Sequence, residues 1–204
     1  MNWEDLIAGL NVDGPLNRCP PETVQDLQSA FPFRLPSGFT EFCELLGHGV
    51  IAEQIQLFCP GIPGFDTELK SQLTRANALD SADEERQFAI RRRDEDAANK
   101  YRDLKKLFAR SFVFGQTLNA SFFVWDLASA SETDDDFDIW LIAGLFDGAL
   151  DSTGGVTLAG REFRSFIKDF CFAPKHREVE FPKGSDPVAK NDLVFNHFRP
   201  WKKK

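Results

Sequence analysis

The chain has little of what most enzymes and helical membrane proteins display. Across 204 residues it holds three histidines, one tyrosine and one methionine. His48, His176 and His197 stand far apart, so no pair has the spacing of a metal site. The sequence contains no G-x-S-x-G, H-E-x-x-H, P-loop or G-x-G-x-x-G signature, which leaves no recognisable catalytic machinery and implies no cofactor. No run approaches the roughly 20 consecutive apolar residues of a membrane span. The first residues, Met1-Asn2-Trp3-Glu4-Asp5, are acidic where a secretory signal is basic and then apolar. The four cysteines, Cys19, Cys43, Cys59 and Cys171, form no C-x-x-C pair, and three of them sit inside apolar runs. Cysteine in that setting behaves as a small hydrophobe, so a reduced, cytoplasmic protein is expected.

What is present is phenylalanine, 21 residues of it. A Phe ring brings large apolar area without a polar handle, which predicts a rigid, dry core. Hydrophobic residues at 42% and charged residues at 27% fit an ordinary globular chain, and the length fits one domain over 1–204.

The net charge of −8 is not spread evenly. Between Asp126 and Gly160 lie eight acids (Asp126, Glu132, Asp134, Asp135, Asp136, Asp138, Asp147, Asp151) and no Lys or Arg. The chain has 32 acids and 24 bases, so these eight are the whole excess. Phosphate binding needs a basic face, which argues against a nucleic-acid ligand. An acidic patch instead attracts a basic protein partner. Asp126, Glu132, Asp134, Asp135, Asp136 and Asp138 are therefore the candidate partner-binding residues, set against the reading of a solvated loop kept polar for solubility. A metal site is not expected, because the run lacks the glycine and distal glutamate of a calcium loop.

Periodicity organises the rest. Trp3, Leu6, Ile7 and Leu10 mark one face of a short helix. Pro21 opens a second over Glu22–Phe31, and Pro32 ends it. A third holds Phe39, Phe42, Cys43 and Leu46 inward and closes at Gly47, with His48 a turn residue. Val50–Phe58 alternates as a strand, followed by a Pro/Gly loop from Cys59 to Gly64. Asp80–Lys106 holds eight acids and eight bases and reads as one long, solvent-exposed helix, part of a charged insertion over 66–108 at the fold's edge. Its Arg91-Arg92-Arg93 is answered at once by Asp94-Glu95-Asp96, which makes a poor nucleic-acid patch. Ser111–Gly115 and Ser121–Leu127 suggest an antiparallel hairpin, and Phe137–Leu145 a further strand. Trp125 and Trp140 are expected to be mostly buried. A glycine-rich loop leads to a last helix over Ala159–Phe172, and the tail from Pro174 carries a short helix around Asn191–Phe198.

The order of these elements resembles the SUKH superfamily, the group that includes the Smi/Knr cell-wall regulator and Syd. The residues that carry the resemblance are Leu35-Pro36-Ser37-Gly38-Phe39 with Phe42, Gly47-His48-Gly49, Phe114-Gly115, Phe123-Val124-Trp125-Asp126, and Phe163 with Phe166. It covers roughly residues 1–172, interrupted by the charged insertion. The chain departs from the pattern in Phe39, in His48 and in the long 66–108 segment. The resemblance implies an α+β fold, a mostly antiparallel sheet packed by helices. It also implies a protein-binding module, of which many bacterial members are immunity proteins that neutralise toxins, often nucleases, by direct binding. A regulatory or scaffolding protein with no toxin partner is the other function it allows.

Overall fold

The computed structural model describes residues 3–61, 65–118, 121–131, 135–142, 155–173 and 197–201. In chain order the elements are α1 (Trp3–Ala8), β1 (Asn11–Val12), α2 (Pro21–Ala30), α3 (Ser37–Leu45), β2 (Gly49–Ile51) and β3 (Ile55–Leu57). There follow α4 (Thr67–Arg91), α5 (Glu95–Ala109), β4 (Ser111–Thr117), β5 (Phe122–Asp126), β6 (Asp138–Ile142) and β7 (Val156–Gly160). The last helix, α6 (Phe163–Ser165), continues as a π-helical stretch over Phe166–Cys171, and β8 (His197–Pro200) ends the described chain. The strands form one sheet in the order β1-β8-β2-β3-β4-β5-β6-β7. Among the described strands only β1 and β8 pair in parallel, so the fold is α+β with a mostly antiparallel sheet.

The middles of the central strands, Phe112–Phe114, Phe122–Trp125 and Ile139–Ile142, are apolar without alternation because helices cover both faces, and their polar residues fall toward the strand ends. Side chains alternate across the sheet. Phe112, Phe114, Phe123, Trp125, Ile139 and Leu141 point into a core closed by α1, α2, α3 and α6. Val113, Phe122, Val124 and Ile142 point into a second core, closed by α4 and α5. In the first core the Trp125 indole lies flat against Phe114, ring centres 4.4 Å apart, and against Phe112 at 5.6 Å. Phe39 of α3 meets the indole edge-on at 5.0 Å. An extra residue, Phe114, interrupts the β4–β5 register between the Val113–Val124 and Gly115–Phe123 pairs, a bulge of the kind that re-aims side chains. Gly47 closes α3 at φ +72°, where an added Cβ would sit 1.8 Å from the Asn17 carbonyl oxygen.

The first three helices lie where the apolar spacing places them, and the β4–β5 hairpin and β6 are present. Trp125 is fully buried and Trp140 half-buried. Other readings need correction. The charged insertion is two helices, and it covers a face of the sheet instead of extending its edge. The chain reverses at Arg92–Asp94, with Arg93 left-handed at φ +60° and the Asp94 carboxylate capping α5 by accepting from the Ala97 N–H at 3.0 Å. The buried side of α4 is Ser71, Ala78, Ala82 and Ala89, small residues that allow close packing but register poorly as a hydrophobic stripe. The strand expected over Val50–Phe58 is a hairpin, β2 and β3. Ala52 (φ 48°) and Glu53 (φ 61°) turn it without the Asn or Gly such a turn favours. The glycine-rich segment before the last helix contains β7, and that helix begins at Phe163 instead of Ala159. His197 and Phe198 belong to a strand, not a helix, since β8 inserts between β1 and β2; residues 191–196 lie outside the described residues. Among the described residues no helix is long and apolar enough to cross a membrane.

Trp125→Ala should cost about 3–5 kcal/mol, as large-to-small changes in an unyielding core do, read as a lower denaturant midpoint. Arg93→Gly should add about 0.5–1 kcal/mol, because glycine takes the left-handed turn without the steric penalty. A lower melting temperature for that variant would contradict the turn geometry.

Candidate protein-binding surface

The acidic run connects β5 to β6, two of the central strands. Asp126 ends β5 and Asp138 begins β6, and the two stand directly opposite each other in the ladder. Like charges so placed repel. Each is answered by an arginine from a different part of the chain. Arg110, between α5 and β4, donates to Asp126 Oδ2 at 2.6 Å. Arg161, just after β7, donates to Asp138 Oδ1 at 3.1 Å and to the Ser129 carbonyl at 3.1 Å. The Ser129 hydroxyl ties the two strand ends together, donating to the Asp126 carbonyl at 2.6 Å and accepting from the Asp138 N–H at 2.7 Å.

Of the six sequence candidates, four are described. Asp126 is 4% exposed, and its second oxygen accepts from the Ala128 N–H at 3.1 Å, so it serves the fold and is closed to a partner. Asp136 accepts from the Phe163 N–H at 3.4 Å, fastening the segment to the start of α6, where Glu162 caps the Arg164 and Ser165 N–H groups. Asp138 is half-buried beneath Arg161. Asp135 differs: it pairs at 2.9 Å with Arg34, whose side chain is 75% exposed. A pair that open to solvent contributes little, about 0–1 kcal/mol, and can be exchanged for another. Glu132 and Asp134 lie outside the described residues, as do Asp147 and Asp151. The run's net negative charge was legible in the sequence. The arginines that answer it, 34, 110 and 161, were not, since none lies inside the segment.

His48 is the second feature that the sequence understated. It sits at the turn after α3 as expected, yet it is buried. Gln116 donates to Gln56 Oε1 at 3.1 Å, which orients the Gln56 amide to donate to His48 Nε2 at 3.1 Å. With Nε2 accepting from that amide, the neutral ring carries its proton on Nδ1, which has no hydrogen-bond partner among the described residues. Phe65 and Trp201 meet the ring edge-on at 4.9 and 5.4 Å. Burial, reinforced by the nearby Lys70 ammonium, lowers the His48 pKa from 6.5 to about 4. Lys70 itself lies over Phe58 and Phe65 at 4.5 and 4.7 Å, and burial lowers its pKa as well.

The cysteines are free and buried. Cys43 lies between Cys19 and Cys59, and burial, then hydrogen bonding to those two thiols, raises its pKa well above the ordinary value. Thiols held protonated in this way are poor nucleophiles. Among the described residues no group of His, Cys, Asp and Glu is arranged to hold a metal ion.

Comparison with protein-family models, curated proteins and solved structures returns no match for this chain.

Removing Arg110 leaves a buried carboxylate facing Asp138. Arg110→Ala should cost about 2–3 kcal/mol, below the full penalty of a broken buried pair because the guanidinium is itself partly solvated. The cost should shrink in an Asp126→Asn background, as a double-mutant cycle would show. His48 has a second consequence. Its folded pKa lies below its unfolded value, so it contributes stability above pH 6.5 that is lost as pH falls toward 4. The loss should total roughly 3 kcal/mol, since each pH unit between the folded and unfolded values corresponds to about 1.4 kcal/mol. His48→Gln should flatten the stability profile across that window, relative to wild type, in denaturant titrations.

Proposed function

We propose that this chain is a SUKH-type protein-binding module, an immunity protein that neutralises a basic toxin, such as a nuclease, by direct contact. The observation that supports it most is an acid-rich connection mounted on the ends of two central strands and fastened there by the chain's own arginines. Asp135, one residue before the anchored Asp136, presents its charge beside these fastenings, which reduces the ordering cost of binding there. The anchors and the contact residues then differ. Asp126, Asp136 and Asp138 hold the segment, while Glu132, Asp134 and Asp135 face the partner. A partner's lysine or arginine takes Arg34's place on Asp135. Charge of this kind acts mainly by steering encounter, so it governs the association rate and its salt dependence more than the final affinity.

The test is co-purification with the product of the neighbouring gene, since an immunity protein is made beside its toxin. A complex that survives gel filtration, and cells protected from that toxin, are the expected results. A neighbour that neither binds nor is toxic removes the immunity reading. In the complex, neutralising Glu132, Asp134 and Asp135 together should slow association about tenfold at low salt. An unchanged rate and salt slope would place recognition elsewhere.

A further inference from the structure

The two edges of the sheet are finished differently. Exposed edges invite pairing with other chains, and proteins blunt them with short strands, charges, prolines or bulges. At one edge stands β1, two residues long. At the other stands β7, Val156-Thr157-Leu158-Ala159-Gly160, five residues without a charge or a proline. Its one irregularity against β6 falls beyond Leu158, where Gly160 faces Ile139 and Leu158 faces Trp140, so Val156–Leu158 runs straight. Among the described residues none pairs with its outer side.

The side chains along this edge are apolar and open. Val156 is 42% exposed and Leu158 is 49% exposed. Their cross-strand neighbours, Ile142 and Trp140, belong to the core under α4 and α5, so Val156 and Leu158 share that face of the sheet. They extend its apolar surface to the edge. The Trp140 indole N–H beside Leu158 is buried and has no hydrogen-bond partner.

We propose that β7 pairs antiparallel with β7 of a second copy of this chain, about a two-fold axis through Thr157. In that register Val156 meets the partner's Leu158 and Leu158 the partner's Val156, so the four exposed aliphatic side chains cover one another. On the opposite face the two Thr157 side chains meet, with Gly155 opposite Ala159. Charge selects the occupant. A chain of net charge −8 repels its own copies over most of its surface, and an uncharged strand is where two copies approach at least cost. A basic partner gains no attraction from that strand. Pairing of five residues buries less than the roughly 1,600 Å² of a standard interface, so the dimer forms in the micromolar range. This inference is independent of the toxin-binding reading and stands or falls separately.

Sedimentation equilibrium of the full chain from about 1 to about 100 micromolar, the range such an interface implies, tests it. The expected result is a mass that doubles across the range, with Leu158→Lys remaining monomeric at unchanged circular dichroism and melting temperature. Thr157→Cys, treated with oxidised glutathione, should yield a disulfide-linked dimer, because the introduced thiols face each other across the axis while the four native ones are buried. Leu118→Cys, exposed but remote from the edge, should not. Three results would overturn the proposal: a wild-type monomer throughout, a dimer indifferent to Leu158→Lys, or no more cross-linking at Thr157→Cys than at Leu118→Cys.

Discussion

Trp125 lies flat on two phenylalanines of the neighbouring strand, and rings from several separate parts of the first core meet that stack. Phe39 brings α3 to it, Phe163 brings α6, Phe137 the chain entering β6, and Phe33 the chain after α2. Such ring pairs contribute about 0.5–1.5 kcal/mol each beyond the area they bury. Their larger effect is geometric, since rings held both edge-on and face-to-face leave few alternative packings. The composition serves this arrangement. With 21 Phe against one Tyr, nearly all of its six-membered rings need no hydrogen-bond partner in the interior. The buried Trp125 indole N–H, which has none, is the cost of a larger ring at the centre.

The second constraint follows from covering both faces. A sheet buried on one side can carry alternate polar residues; β4 and β5 confine theirs (Ser111, Gln116, Thr117, Asp126) to the strand ends, because the α4–α5 hairpin lies on the other side. That hairpin's charges face water, while Ala78, Ala82, Ala89 and Ala97 are buried in the second core. Its ends are set by Asp66, which accepts from the Leu69 N–H at 2.8 Å, and by Asp94. Arg75 of α4 reaches the Ser111 carbonyl at 3.3 Å, joining the hairpin to the first residue of β4.

The parts of the fold legible in the sequence are those where side-chain size and period coincide. Phe39, Phe42 and Leu46, or Phe112 to Phe114 with Phe122 to Trp125, announce a buried surface whatever covers it. Illegible were features held by small or distant residues. Ala78 and Ala82 carry too little area to mark a buried face. Ala52 and Glu53 adopt a turn that asparagine and glycine would have advertised. β8 pairs with β2 some 150 positions earlier, as in Val50 with Arg199, and no local pattern encodes that. The candidate surface divides in the same way. Its negative charge was legible because it is contiguous, whereas Arg34, Arg110 and Arg161 reach it only through the fold.

That division changes what the acidic segment means. Counted along the chain it is an unbalanced run; in space, much of its described part is balanced and structural. Asp126 and Asp138 would separate the ends of β5 and β6 if left alone, and two arginines convert that repulsion into a clamp. The clamp depends on the sheet, because Arg110 is placed by the end of α5 and Arg161 by the end of β7. Surface free to meet another chain is thereby displaced toward positions that the core does not need. Around β6 these are the connection before it, which is acidic, and the strand after it, whose apolar side chains continue the second core to an open edge. The aromatic stack and the α4–α5 hairpin fix the centre of the sheet on both faces, so its periphery is where this chain can meet another.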